Sequence, residues 1–117
     1  SLPLEGIACD VMVCDGIAWL ANGEEGLAAI DISDVSNPQL LSQISTGGFV
    51  NGVYAEEDNV YISDLEKGFF VIDPISPLNA YILGGLALAG EPNSVQLSGS
   101  YVYITDNESL KIIKVKP

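Results

Sequence analysis

Residues 18–22 read Ala-Trp-Leu-Ala-Asn, residues 60–64 read Val-Tyr-Ile-Ser-Asp and residues 102–106 read Val-Tyr-Ile-Thr-Asp. These three stretches stand 42 residues apart. The same spacing separates three glycines, Gly6, Gly48 and Gly90. A repeat of fixed length is typical of stacked or ringed units, because one unit alone is unable to bury its apolar face. The repeat therefore predicts the architecture far better than it predicts the chemistry.

Each full unit contains four short apolar runs separated by turn residues. In the second unit these runs begin near positions 50, 60, 69 and 80. Runs of this spacing, rich in Val, Ile and Tyr, are typical of antiparallel strands joined by hairpins. Gly and Pro interrupt the chain too often for a helix of three turns. Four-stranded sheets that repeat every roughly 40 to 50 residues are typical of β-propeller blades.

We therefore predict an all-β fold of three antiparallel β-propeller blades, built on a four-stranded plan of 42 residues each. Blade 1 spans residues 7–48, blade 2 spans 49–90, and blade 3 spans 91–117 and lacks its outer strand. The whole chain, 1–117, is one propeller segment. Residues 1–6 align with the ends of the fourth strands, so we predict that they form an outer strand that completes another blade.

Three blades are fewer than the roughly four to eight of a closed propeller. The chain is thus predicted to be part of a larger or oligomeric propeller of six or more blades. Two copies related by a two-fold axis would supply six blades. A piece of one longer propeller chain is an alternative, and an open solenoid is a third. The predicted partner is accordingly another copy of the chain or the rest of a longer propeller.

The stretch 26–38 reads Gly-Leu-Ala-Ala-Ile-Asp-Ile-Ser-Asp-Val-Ser-Asn-Pro and resembles the core of the LVIVD repeat. That repeat has a Gly-Leu start, an apolar stretch, Asp and then Ser-Asp-Pro-x-x-Pro, and here Val35 stands in place of the first Pro. The copy at 68–77 is altered, and the copy at 110–115 has Lys114 in place of Asp. The resemblance covers nearly the whole chain. It implies a propeller blade, an extracellular, periplasmic or cell-surface location, and no catalytic motif.

Asp31 and Asp73 each close the third apolar run of a unit, directly before a turn. A carboxylate at such a position accepts N–H bonds from the turn, so we predict an Asx-type capping role for both. A metal-binding role for either is the alternative.

Composition argues against several classes of function. Against 16 acidic residues stand four lysines, with no Arg and no His, which gives a net charge of −12. Binding to nucleic acid requires Lys and Arg to neutralise phosphates, so none is predicted, and contact with anionic membranes is disfavoured for the same reason. No apolar run approaches the roughly 18 residues of a membrane span, so we predict no membrane insertion.

The same composition argues against catalysis. Without His there is no Ser-His-Asp or Cys-His machinery, and without Arg there is no bidentate clamp for phosphate or carboxylate substrates. Two carboxylates suffice for a glycosidase, but among 16 acids a chance pair is expected and carries little information. We predict that the chain is not an enzyme, with a carboxylate-based enzyme as the least favoured alternative.

Cys9 and Cys14 are the only cysteines in the chain. Five residues of extended strand span roughly 17 Å, whereas a disulfide needs Cα atoms within about 7 Å. We therefore predict two buried free thiols.

The blade topology places the candidate binding residues on one face of the ring. The loop entering each inner strand and the loop joining the second and third strands open on that face, and loops on a rigid scaffold are the usual binding surface. The predicted ligand-binding residues are Asn22, Asn51, Asp64, Asn93 and Asp106. The predicted acidic rim, a possible Ca²⁺ site, contains Glu24, Glu66 and Glu108. No other cofactor is predicted, and the alternative role of Asn51 and Asn93 is to cap the bend before the inner strand.

Together these observations favour a non-enzymatic β-propeller scaffold that binds protein or glycan through one face. The alternative is a structural or assembly component of a surface layer or larger complex. The incomplete number of blades favours that alternative.

Overall fold

The computed structural model describes residues 2–56, 58–74, 80–88, 91–106 and 109–116, and these form three antiparallel sheets. The first sheet contains β1 (Asp10–Cys14), β2 (Ile17–Ala21), β3 (Leu27–Asp31) and β4 (Gln39–Ile44). The second contains β5 (Val50–Ala55), β6 (Val60–Asp64), β7 (Gly68–Asp73) and β8 (Tyr81–Leu86). The third contains β9 (Ser94–Ser98), β10 (Tyr101–Thr105) and β11 (Leu110–Lys114).

The strands of each sheet follow one another in chain order, and the 42-residue period reappears as strand register. Val11 is paired with Leu20 across the first two strands of the first sheet. The equivalent pairs in the second and third sheets are Val53 with Ile62 and Val95 with Ile104. The prediction of an all-β fold made of repeated antiparallel units is therefore confirmed.

The inner strands of successive sheets lie side by side. Strand β5 contacts β1 on one side and β9 on the other. Backbone N–H groups of β5 point at side chains of β1, with Val53 N 3.1 Å from Asp10 Oδ2 and Ala55 N 3.2 Å from Met12 Sδ. Sheets that meet through their first strands in this way are β-propeller-like blades arranged about a shared axis.

The core consists of two layers, one between each pair of neighbouring sheets. In the first layer, Trp19 and Leu27 of the first sheet pack against Val53, Ile62 and Ile72 of the second. In the second layer, Tyr61 and Phe69 of the second sheet pack against side chains of the third, Val95, Val102 and Ile104. The middle sheet is thus covered on both faces, which explains why every residue of β6 is buried.

The outer face of the first sheet is covered by the beginning of the chain. Leu2 and Leu4 pack over Ala18, Ala28 and Ile30. Residues 2–6 contain no strand, and of their repeat equivalents, 44–48, only the first belongs to one. Residue 1 lies outside the described residues, and the completion of another blade by residues 1–6 stays a prediction.

The capping prediction is confirmed for Asp31. Its Oδ1 accepts the backbone N–H of Ser33 at 2.8 Å. That bond, assisted by the Ser33 side chain, holds the pKa of Asp31 below its usual value. The turn after Asp73 falls largely on residues 75–79, which lie outside the described residues, so the same role for Asp73 stays a prediction.

The two cysteines are free thiols, as predicted, but the prediction that both are buried is wrong. Cys9 is exposed and Cys14 is half-buried. Cys14 packs at the edge of the layer between the first and second sheets, because it is the last residue of β1. Cys9 lies just before that strand begins.

Gly26 ends the β2–β3 hairpin with a φ of +92°, and a Cβ at this position would overlap the carbonyl group of Ile44 in β4. We expect Gly26→Ala to lower the free energy of unfolding by about 2–4 kcal/mol, because left-handed strain and a backbone clash add together. Urea denaturation measures the change. Gly16→Ala is the matched control, because Gly16 has a φ of +76° but no atom within 4 Å of the added Cβ. Equal losses in the two variants would contradict the close contact between the hairpin and β4.

Candidate functional site

The loops on one edge of the sheets form a continuous band, which we name the hairpin rim. It consists of the segments entering the inner strands, 5–9, 45–49 and 91–93, and the hairpins after the second strands, 22–26, 64–67 and the described part of 106–109. In each sheet a backbone hydrogen bond joins the entering segment to the second strand or to its hairpin. In the first and third sheets the entering segment donates to the last residue of the second strand, Cys9 N to Ala21 O at 2.8 Å and Asn93 N to Thr105 O at 2.7 Å. In the second sheet the direction is reversed, and Leu65 N of the hairpin donates to Phe49 O at 2.9 Å.

Asp64 is a fully buried carboxylate of the rim that accepts hydrogen bonds from four groups. Its Oδ1 accepts the backbone N–H groups of Phe49 at 3.1 Å, Glu66 at 2.8 Å and Lys67 at 2.9 Å. Its Oδ2 accepts the hydroxyl of Thr46 at 2.5 Å. One carboxylate therefore joins the end of the first sheet, the entry to β5 and its own hairpin.

Burial alone would raise the pKa of Asp64, because a charge is costly away from water. The hydrogen bonds from the Thr46 hydroxyl and from the three backbone N–H groups outweigh that effect and hold the pKa below its usual value. Asp64 is thus ionised at neutral pH, and its negative charge strengthens the four hydrogen bonds that it accepts.

The other two residues at this repeat position are also engaged in the rim. Asn22 is 1% exposed, and its Nδ2 donates to the backbone carbonyl of Glu5 at 2.6 Å. Asp106 is half-buried and accepts the backbone N–H of Ser109 at 2.6 Å and the Lys111 ammonium at 2.8 Å. In all three sheets the side chain at this repeat position forms hydrogen bonds with backbone groups of the hairpin rim.

Asn51 connects the second and third sheets. Its Nδ2 donates to the carbonyl of Pro92 at 2.5 Å, and its Oδ1 accepts the hydroxyl of Ser63 at 2.9 Å. The amide thus secures the loop before β9 of the next sheet, and both ligand binding by Asn51 and capping of its own bend stay predictions. Asn93, at the same repeat position, is exposed.

The described glutamate side chains of the rim are exposed. Glu24, Glu25 and Glu66 are exposed, and Glu108 lies outside the described residues. Among the residues that the structure describes, no three His, Cys, Asp or Glu side chains are grouped closely enough to hold a metal ion. The possible Ca²⁺ site therefore stays a prediction. In the same part of the chain, no helix has the length and apolar character needed to cross a membrane.

A sequence profile of the LVIVD repeat matches residues 5–46, 47–83 and 89–115. The chain belongs to the LVIVD repeat family. The resemblance read from residues 26–38 is thereby confirmed for all three units of this LVIVD repeat protein.

The crystal structure of the computationally designed Ika4 protein is similar to this LVIVD repeat chain, with a TM-score of 0.73 and 13% sequence identity. The similarity covers 91% of this chain and 64% of the Ika4 chain, so the LVIVD chain spans about two thirds of the length of that protein. At this identity the likeness shows the fold alone. A search of the curated proteins found no match to the chain.

Sequence reasoning missed two hydroxyls, that of Thr46 in the rim and that of Ser63 in β6 next to it. Thr46 carries no repeat signal, because its equivalents are Leu4 and Leu88. A usable signal existed for Asp64 in Gly48, since a Cβ at Gly48 would overlap the Asp64 carboxylate. A glycine and a polar residue that recur together at one period indicate that the side chain fills the space above the glycine.

Proposed function

We propose that this LVIVD repeat protein is a non-enzymatic propeller-type scaffold that binds protein or glycan through the hairpin rim. The observation that supports it most is that the rim has two kinds of polar side chain, one hydrogen-bonded to the loops and one exposed. Asn22, Asp64 and Asn51 fasten the loops from within, while Glu24 and Glu66 project into solvent. Loops that are already fixed lose little conformational entropy when a ligand binds, and such loops commonly form binding surfaces.

The chemistry of the rim favours ligands that donate hydrogen bonds to carboxylates. Lys and Arg side chains of a protein and hydroxyl groups of a glycan both do so. The net charge of −12 would speed the approach of a basic partner and make that step sensitive to salt. The proposal includes an extracellular, periplasmic or cell-surface location, which the family resemblance implies.

A structural or assembly role is the second candidate. It is favoured by large apolar side chains on the outer face of the third sheet, where Tyr101, Leu110 and Ile112 are 41%, 55% and 57% exposed. Apolar side chains grouped on a surface commonly mark contacts between proteins.

Binding to a glycan array and to a panel of basic peptides tests the proposed rim function. We expect the double variant Glu24→Gln, Glu66→Gln to bind the strongest hit of either panel roughly tenfold more weakly, because two exposed acceptors lose their charge. The control is Asp15→Asn, Asp58→Asn, which removes the same charge from exposed positions on the opposite edge of the sheets. Equal weakening by both variants, or no binding to any member of either panel, would contradict the proposal.

A further inference from the structure

Among the residues that the structure describes, two outer sheet faces carry apolar side chains and have no sheet packed against them. The third-sheet face has Gln96, Tyr101, Tyr103, Leu110 and Ile112, and at its strand ends the polar residues Ser94, Ser98, Thr105 and Lys114. The first-sheet face has Val11, Val13, Ala18, Leu20, Ala28, Ile30, Leu40 and Gln43, with Leu2 and Leu4 lying over part of it. Val11 and Val13 remain 56% and 57% exposed beside those leucines. No carboxylate belongs to either face, although the chain contains 16, and the charged side chain among these face residues is that of Lys114 at the end of β11.

The third-sheet face is the repeat equivalent of a face that already packs inside the chain. Ile112 is paired with Tyr103, just as Val71 is paired with Tyr61 in the second sheet. Tyr61 and Val71 lie in the layer between the second and third sheets. The third-sheet face therefore has the side chains with which a blade covers the next blade of the ring.

The first-sheet face is the repeat equivalent of the complementary face. Val11 and Val13 correspond to Val53 and Ala55, which pack against the first sheet. Leu2 and Leu4, which lie over the first-sheet face, are also equivalent to residues that pack between sheets. Their repeat equivalents are Ile44, which packs into the layer between the first and second sheets, and Leu88, which packs into the layer between the second and third. The first-sheet face is thus one half of a layer between two blades, and Leu2 and Leu4 already pack on it.

We propose that the third-sheet face of one chain packs on the first-sheet face of a second copy of this chain. The two layers inside the chain are the model for this contact. In each of them, a face equivalent to the third-sheet face packs against a face equivalent to the first-sheet face. By the same equivalence, Asn93 of one copy faces the Ala8 carbonyl of the other, as Asn51 faces Pro92 within the chain. The two faces differ, so each contact is head-to-tail, and two copies close into a ring that uses all four faces.

This assembly goes beyond the proposed rim function and does not depend on any ligand. Native mass spectrometry and light scattering of the full chain across the micromolar range test it. We expect a particle of twice the 12.3 kDa chain mass. A single-chain mass at every concentration would overturn the proposal and assign the two faces to other parts of a longer propeller.

Two single variants test the faces themselves. Val11→Lys and Ile112→Lys are each expected to weaken the assembly by roughly 30-fold or more, because each buries a charge in a layer that otherwise excludes water. Val35→Lys is the control, since Val35 is 85% exposed in the β3–β4 connection and belongs to neither face. Each substitution lowers the net negative charge equally, so a difference between the variants does not arise from repulsion between copies.

Mixing the two variants distinguishes a head-to-tail contact from a contact between two identical faces. In the mixture, the third-sheet face of Val11→Lys meets the first-sheet face of Ile112→Lys without a lysine, and both lysines fall in the second contact. One intact contact is expected to hold the mixed pair together more tightly than either variant pairs with itself. Recovery also shows that both variants are folded, and far-UV circular dichroism checks each one separately. Folded variants that assemble as well as Val35→Lys, or a mixture without recovery, would overturn the proposal.

Discussion

Asp64→Ala is expected to lower the free energy of unfolding by about 3–5 kcal/mol. The substitution removes one acceptor from three backbone N–H groups, those of Phe49, Glu66 and Lys67, and from the Thr46 hydroxyl. Because Asp64 is fully buried, water does not replace the lost bonds without opening the rim. Urea denaturation followed by the fluorescence of Trp19, the single tryptophan, measures the change.

Asp64→Asn is the matched control for this prediction. The amide keeps an oxygen for the three backbone N–H groups, but it loses the charge and places an NH2 donor where Oδ2 accepted the Thr46 hydroxyl. We expect a loss of about 1–2 kcal/mol, because the hydroxyl of Thr46 is able to accept from that NH2 group instead. A loss as large as that of Asp64→Ala would show that the charge of Asp64, and not the number of its hydrogen bonds, holds the rim together.

The pH dependence of stability follows from the same carboxylate. The pKa of Asp64 is lower in the folded chain than the usual value near 3.9 in an unfolded chain. Its contribution to stability is therefore complete above that value and is lost as the pH falls through the folded pKa. We expect the wild type to lose stability below about pH 4 and Asp64→Asn to show a shallower loss. Some slope remains in the variant, because hydrogen bonds also lower the pKa of Asp31 and of Asp34.

Trp19→Ala is the second substitution with a large expected effect, a loss of about 3–5 kcal/mol in the free energy of unfolding. Trp19 is 2% exposed and fills the layer between the first and second sheets. Its removal leaves a cavity that two rigid sheets are unable to close. Since the variant lacks the fluorescent residue, far-UV circular dichroism follows its denaturation.

Tyr81→Ala is the control for Trp19→Ala, because Tyr81 is an aromatic residue that is 56% exposed on β8. We expect it to cost less than about 1 kcal/mol. A similarly small loss for Trp19→Ala would mean that the first two sheets do not share a packed layer.

The strands were predictable because the same side chains recur every 42 residues and because each apolar run has the composition of a strand. Val11, Val53 and Val95 share one position, and each is paired with the equivalent partner on the next strand. The burial of Cys9 was predicted wrongly because the period does not tell a terminal sheet from an internal one. Whether a sheet has a neighbour on each side depends on what lies beyond the repeat.

It was harder to predict which polar side chains of the rim are buried and which are exposed. Asp64 and Glu66 are two residues apart and carry the same group, yet Asp64 is fully buried and Glu66 is exposed. The difference arises because the hairpin turns its N–H groups toward Asp64, and a sequence does not display that direction. The role of Thr46 was not predictable from the repeat, because its equivalents Leu4 and Leu88 are apolar and only the structure places its hydroxyl against Asp64.

The most direct test of the central claim, that the repeats fold as neighbouring blades, is a nuclear Overhauser spectrum of the labelled full chain. The arrangement predicts a cross-peak between the Met12 side chain and the Ala55 amide, which are 3.2 Å apart between Sδ and N. It predicts a second cross-peak between the Asn51 side-chain amide and the loop residue Pro92. A spectrum with hairpin contacts inside each unit but neither of these contacts between units would contradict the account.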